Sequence, residues 1–293
     1  MEKLSFSGHE SFVCRQFWLK KGVDFVHTKK KFSHATAVID LGVGKNMVSS
    51  IRFWLKAFDL VDENDEPQDI AEYLFGENGC DPYLEDYGTA WLLHYYLIKN
   101  GRASIYNLVF NKFRKERIEF TKEQLHSFLK RECLERGSKS YNKNTITSDI
   151  NVFLRSYNKP QQGDKIEIED DFTGVLIDLN LVQRSKQRNN ENKLIDLYRI
   201  ESSQRSDLPY QIVFFSILDK IGSETSVSMR ELLVSENSPG LIFAMNSEGL
   251  YNKLLEIEQN YPEVTYSETA GNQVLQLKSK IDKWNILNEY YGL

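Results

Sequence analysis

The feature that most constrains this chain is a tight glycine turn, Gly42-Val43-Gly44, set between two helical patterns. Two glycines within three residues let the backbone reverse where side chains would clash. His34–Leu41 predicts a short helix before the turn and Lys45–Phe58 a longer one after it. In the longer segment Met47, Ile51, Trp54, Leu55 and Phe58 recur at helical spacing and predict a buried stripe. Lys45, Ser49, Arg52 and Lys56 fall on the opposite face, with Asn46 beside them. This is a helix-turn-helix pattern, whose second helix can enter the major groove of duplex DNA. Lys45 and Lys56 suit phosphates, Arg52 suits guanine or a phosphate, and Asn46 and Ser49 allow close approach to the DNA backbone.

The spacing returns a hundred residues later in Lys143–Tyr157, which also begins Lys-Asn. Ile146, Ile150, Phe153, Leu154 and Tyr157 form the apolar stripe, and Lys143, Asn144, Ser148, Asn151 and Arg155 lie opposite. It reads as a degenerate internal repeat, or simply as two helices of one type. Thr121 opens a helix just before it, and Gly174–Val182 predicts a short helix after it. Val182–Lys186 and Lys193–Ile200 then predict two strands around a polar tip, Gln187–Asn192. Arg184, Lys186 and Arg188 make this hairpin a basic wing for a minor groove or a phosphate. A third unit predicts helices at Tyr210–Ile221, Ser228–Val234 and Ser247–Gln259, a hairpin of Val264–Tyr266 with Gln273–Leu277 around Thr269–Asn272, and a closing helix Ile281–Tyr290.

The expected fold class is mainly α, with winged-helix (helix-turn-helix) domains and short β-hairpin wings, divided at 1–118, 119–203 and 204–293. For any one helix, a solvated polar face is the simpler reading. The second helix and the basic hairpin are what favour DNA.

Composition limits the alternatives. The 293 residues, 41% hydrophobic, can bury a sizeable core. No apolar run is long enough to predict a transmembrane helix, and the first residues lack the pattern of a signal peptide. Three cysteines without metal-ligand spacing predict reduced thiols and a cytoplasmic protein. A net charge of −5 argues against indiscriminate coating of nucleic acid but leaves room for a local basic face. The pattern calls for no cofactor.

Other chemistry has weaker support. His9, Glu10 and Ser11 are catalytic residue types, but neighbours in sequence rarely act on one atom. They read better as structural or ligand-contact residues, with His9, Glu10 and Arg15 in an anion or ligand pocket to which Lys20 and Lys21 add charge. Asp81, Glu85 and Asp86 are spaced to hold magnesium in a nuclease, but also to cap and open a helix at Asp81-Pro82. His94, in a very apolar run, reads as a buried hydrogen-bonded histidine. Gly42–Asn46 fails the phosphate-loop pattern at Ile39 and Asn46.

Three runs carry a family resemblance: Gly8-His9-Glu10-Ser11-Phe12 with Trp18–Gly22; Leu41–Val48 with Ile51-Arg52 and Trp54–Ala57; and Asp81–Asp86 with Gly88-Thr89 and Trp91–His94. Over essentially its whole length the chain resembles the domain-of-unknown-function family numbered 4007. The resemblance implies a bacterial protein encoded beside sulfotransfer enzymes, in DNA phosphorothioation and phage-exclusion clusters. It carries over no catalytic residues. The resulting expectation is a non-catalytic protein that contacts double-stranded DNA alongside a sulfotransfer enzyme or an ATPase. A metal-dependent nuclease and a protein-interaction scaffold are the alternatives, and a homodimer is compatible with each.

Overall fold

The computed structural model describes residues 4–137, 141–159, 174–188, 191–269 and 271–293. The chain is mixed α/β, about 52% helical, with two small three-stranded antiparallel sheets. It divides into two compact units, residues 1–200 and 201–293. Among the described residues no helix is long and apolar enough to cross a membrane.

The first unit opens with α1 (Gln16–His27), α2 (Ala37–Leu41) and α3 (Lys45–Ala57). Gly42 closes α2 in the left-handed region at φ 64°, and Gly44 caps α3 in an extended conformation. The glycine turn therefore does what its composition predicts. Ile51, Trp54, Leu55 and Phe58 are all buried.

Next come α4 (Asp69–Phe75) and α5 (Tyr87–Asn100). Ten of the fourteen residues of α5 are buried, as a helix apolar all round requires. The helix does not begin at Asp81-Pro82. Both Asp81 carboxylate oxygens accept backbone amides, from Glu85 and Asp86, and hold a turn there. Asp86 is the actual cap, accepting from the amides of Gly88 and Thr89. His94 is fully buried with Nδ1 2.9 Å from the Tyr157 hydroxyl.

A π-turn, Val109–Phe113, joins α6 (Ser104–Leu108) to α7 (Arg114–Glu116). Then follow β1 (Glu119–Phe120), α8 (Lys122–Glu135), α9 (Lys143–Tyr157), β2 (Gln183–Arg188) and β3 (Leu194–Arg199). The helix expected over Gly174–Val182 is only a 3-10 turn at Ile177–Leu179. Asn189 and Asn190 of the expected hairpin tip lie outside the described residues.

The expected division at residue 118 falls inside this unit. Strand β1 pairs with β3, Phe120 opposite Tyr198. Tyr106 on α6 meets Trp54 of α3 edge-on at 6.0 Å and Phe153 of α9 at 5.2 Å. One aromatic core thus spans both expected domains, and such ring pairs add about 0.5–1.5 kcal/mol each beyond burial.

The second unit holds α10 (Tyr210–Ile221), β4 (Ser226–Ser228), α11 (Met229–Val234), α12 (Pro239–Ile242), α13 (Ser247–Asn260), β5 (Val264–Thr269), β6 (Asn272–Leu277) and α14 (Lys283–Tyr291). Ser228 and Glu231 form a capping box at α11, and Asn246 caps α13. Ala270, within the expected second hairpin tip, is outside the described residues. The two sheets have the same connectivity. Their strand orders are β1-β3-β2 and β4-β6-β5, so in each the first strand lies beside the last.

Candidate nucleic-acid interface

The candidate residues of α3 separate into two groups. Lys45, Asn46 and Ser49 are exposed on its N-terminal half. The C-terminal pair is held by the loop that follows. Arg52 donates through Nε to both oxygens of Asp65, at 2.8 and 3.0 Å. Lys56 is only 6% exposed, with Nζ 2.7 Å from the Glu63 carbonyl and 3.0 Å from Asp65. The expectation that Lys56 contacts a phosphate is therefore corrected: it sits inside the fold as an anchor for loop 62–66. Burial opposes ionisation of Asp65, but hydrogen bonds from Arg52 and Lys56 outweigh it and hold its carboxyl below the ordinary carboxylate value.

On α9, Asn142 caps the helix through the amides of Asn144 and Thr145. That leaves Lys143 and Asn144 exposed at its first turn. The other candidates have partners. Asn151 accepts from Lys122 Nζ at 2.7 Å. The Arg155 guanidinium donates to the Ser11 carbonyl, and the Ser148 hydroxyl lies 3.2 Å from that of Ser11. Arg155 is thus a half-buried strut rather than a free cation.

On the hairpin, Arg184, Lys186 and Arg188 alternate along β2 and so share one face. Arg184 is paired with Asp196, at 3.1 Å through Nε and 2.9 Å through Nη2, and its side chain is 14% exposed. Lys186 and Arg188 are exposed, and Arg188 donates to Asn192.

The loop of residues 7–12 fills the seam between α3 and α9. His9 is 3% exposed, so it lines no open pocket, contrary to expectation. Its Nδ1 accepts from the Ser11 amide, and its Nε2 lies 3.1 Å from Asp149 Oδ1 on α9. The Ser7 amide donates to the same carboxylate oxygen. On the other side the Ser50 hydroxyl donates to the His9 carbonyl, and Trp54 Nε1 to the Phe12 carbonyl. Gly8, at φ 103°, is required here, because a Cβ would come within 2.5 Å of the Phe53 ring. Arg15 is elsewhere engaged: its guanidinium lies 5.2 Å from the Trp18 ring centroid, and its backbone bridges to Gly174. Lys20 pairs with Asp24. Of the residues expected at the anion pocket Glu10 and Lys21 are exposed, and Arg15 and Lys20 are half-buried. The contacts of Ser7, His9 and Ser11 with α9 join residues about 140 positions apart, and nothing in the local sequence signals them.

Asp81, Glu85 and Asp86 do not converge. Among the described residues no three His, Cys, Asp or Glu side chains are placed to hold a metal ion. Cys14 and Cys133 are buried, and burial pushes the Cys80 thiol up to about 12, with Asp81 adding to the shift.

Charge divides unevenly between the units. Residues 201–293 contain thirteen acidic and seven basic residues, and residues 1–200 contain twenty-nine and thirty. The excess negative charge thus lies outside the unit that holds α3, α9 and the basic hairpin.

In sequence, no curated protein matches the chain. Two solved structures share its fold. A crystal structure of SspB superposes with a TM-score of 0.84 at 26% identity, covering 98% of this chain and 88% of that one. A magnesium-bound crystal structure of SspB gives 0.82 at 25% identity with the same coverage. A family model described as a protein of unknown function (DUF4007) matches residues 6–291, and the chain belongs to that family.

Proposed function

We propose that the first unit binds duplex DNA through a composite face made of the N-terminal half of α3, the first turn of α9 and the β2–β3 hairpin. In this reading residues 104–199 and 210–277 are two winged-helix modules, and only the first carries a nucleic-acid surface. The observation that carries the proposal is the hairpin. It places Lys186 and Arg188 on one strand face, and in sequence it follows the helix that exposes Lys143 and Asn144. A winged helix uses these two elements, helix for a groove and wing for the flanking backbone. Few phosphates are neutralised, so binding is modest and salt-sensitive. The cellular setting, a non-catalytic component of a bacterial antiphage or phosphorothioation system working with a sulfotransfer enzyme or ATPase, rests on the family resemblance. The test is a gel shift with Lys143→Ala/Lys186→Ala, which should weaken duplex binding while leaving the melting curve in place. An unchanged shift overturns the proposal.

One observation favours a second reading, a magnesium-dependent nuclease: a structural relative over nearly the full chain binds magnesium. Asp81 and Asp86 fit such a role poorly, since their carboxylates are engaged with backbone amides. Magnesium-dependent nicking of supercoiled plasmid by the full chain, abolished in Asp81→Ala, would establish this reading. Nicking absent at millimolar magnesium would remove it.

A further inference from the structure

Loop 7–12 is held in an unfavourable backbone. Ser7, Glu10 and Ser11 are all in the left-handed region, at φ 73°, 48° and 64°. Non-glycine residues there are strained, and they persist only where the surroundings over-determine them. Here the surroundings do so. His9 and Ser7 are tied to Asp149, Ser11 to Ser148 and Arg155, and the His9 and Phe12 carbonyls to Ser50 and Trp54. All these bonds fix the residues on either side of Glu10. Glu10 itself stays exposed, on a rigid loop bounded by the two helices proposed to face DNA.

A carboxylate there is costly for a surface that meets phosphates, since it repels them. For affinity alone a lysine would serve better. A carboxylate does offer what no cation can, which is acceptance from an exocyclic amino group of a base. In the major groove the donor matched to Glu is cytosine N4.

Resting on the DNA-binding reading above, we infer that Glu10 is a specificity-determining residue that accepts a hydrogen bond from a cytosine N4 amino group in the major groove. The strained loop presents the carboxylate at fixed height, and the His9–Asp149 pair positions it. Glu10 therefore lowers affinity for DNA in general and raises it for one base.

The experiment selects bound sequences from a pool of duplexes with a randomised core, using the full chain as wild type, Glu10→Gln and Glu10→Ala. Melting curves check that the exposed substitutions leave the fold intact. Wild type should enrich cytosine at one position. Glu10→Gln should shift that position to adenine, because glutamine pairs with adenine N6 and N7. Glu10→Ala should lose the preference there and bind the unselected pool about fivefold more tightly at low salt, one repulsive charge having been removed. The same base preference in all three proteins, with no gain in affinity for Glu10→Ala, overturns the inference while leaving the DNA-binding reading intact. Failure of the wild type to bind any duplex overturns both.

Discussion

Residues 104–199 and 210–277 run through a similar order of elements: helix, strand, helices and two strands, with the first strand beside the last, the second stretch adding one short helix, α12. Their cores answer the same demand, with Ile146, Ile150 and Phe153 buried on α9 and Leu250, Leu254 and Ile257 on α13. Their surfaces do not correspond. Together α9, β2 and β3 carry six basic and two acidic residues, and α13, β5 and β6 carry one basic and four acidic. Burial constrains the inward positions of such a module and leaves the outward ones open. The outward charge is therefore where the two regions declare different work, and the hairpin is the sharpest contrast, since β5 and β6 contain no lysine or arginine.

The largest expected effect tests what the regions share. Ile150→Ala and Leu254→Ala each remove a buried side chain from equivalent helices, and each should cost about 2–5 kcal/mol in denaturant unfolding. A small cost at only one of them would mean that the two cores are not equivalent.

The next effect tests what separates them. Lys186→Glu with Arg188→Glu on β2 should weaken duplex binding about a hundredfold at low salt, two attractive charges having become repulsive. Thr265→Glu with Ser267→Glu on β5 should leave the dissociation constant unchanged in fluorescence anisotropy. Equal losses would erase the proposed division of labour.

A smaller effect concerns loop 62–66, which shields part of the first unit's positive charge. The Asp65 carboxyl lies below its ordinary value in the folded chain, so its contribution to stability is present above about pH 4 and is lost as pH falls through the folded value. Asp65→Asn should cost about 1 kcal/mol at neutral pH, a modest figure because the site is partly solvated, and the difference from wild type should vanish in strong acid. The same variant releases Arg52, so its DNA affinity should rise about threefold. A stability difference that persists at low pH would show that the ion pairs are not its source. The smallest effect is that of Lys45→Ala, about threefold in affinity, with the salt slope reduced by about one.

Much of this fold was legible in sequence because its signals are local. The starts of α3 and α9, at Lys45 and Lys143, follow from the Gly42-Val43-Gly44 turn and from the onset of apolar stripes such as Ile51-Trp54-Leu55 and Ile146-Ile150-Phe153. Residues 210–221 announced a helix through their mostly apolar character, with Ile212–Leu218 interrupted only by Ser216. The misread features depend on distant partners. Asp81 has the composition of a helix cap, but its carboxylate closes a turn and the cap passes to Asp86. Lys56 keeps helical step with Arg52, yet the next loop folds back to bury it. The seam between α3 and α9 was invisible because it joins His9 to a carboxylate 140 residues away. The break expected near residue 118 is bridged by a β1–β3 pairing that only the folded chain reveals.

The most direct measurement is a titration of the full chain with a 20-base-pair duplex at two salt concentrations, about 50 and 200 mM, with and without phosphorothioate linkages. A surface that contacts a few phosphates through Lys45, Lys143, Lys186 and Arg188 should bind at the lower salt and lose roughly one to two orders of magnitude at the higher. The Lys186→Glu/Arg188→Glu protein should bind about a hundredfold more weakly at the lower salt and show a shallower slope. No binding at the lower salt, or binding indifferent to both salt and the substitutions, would contradict the assignment of the first unit to DNA.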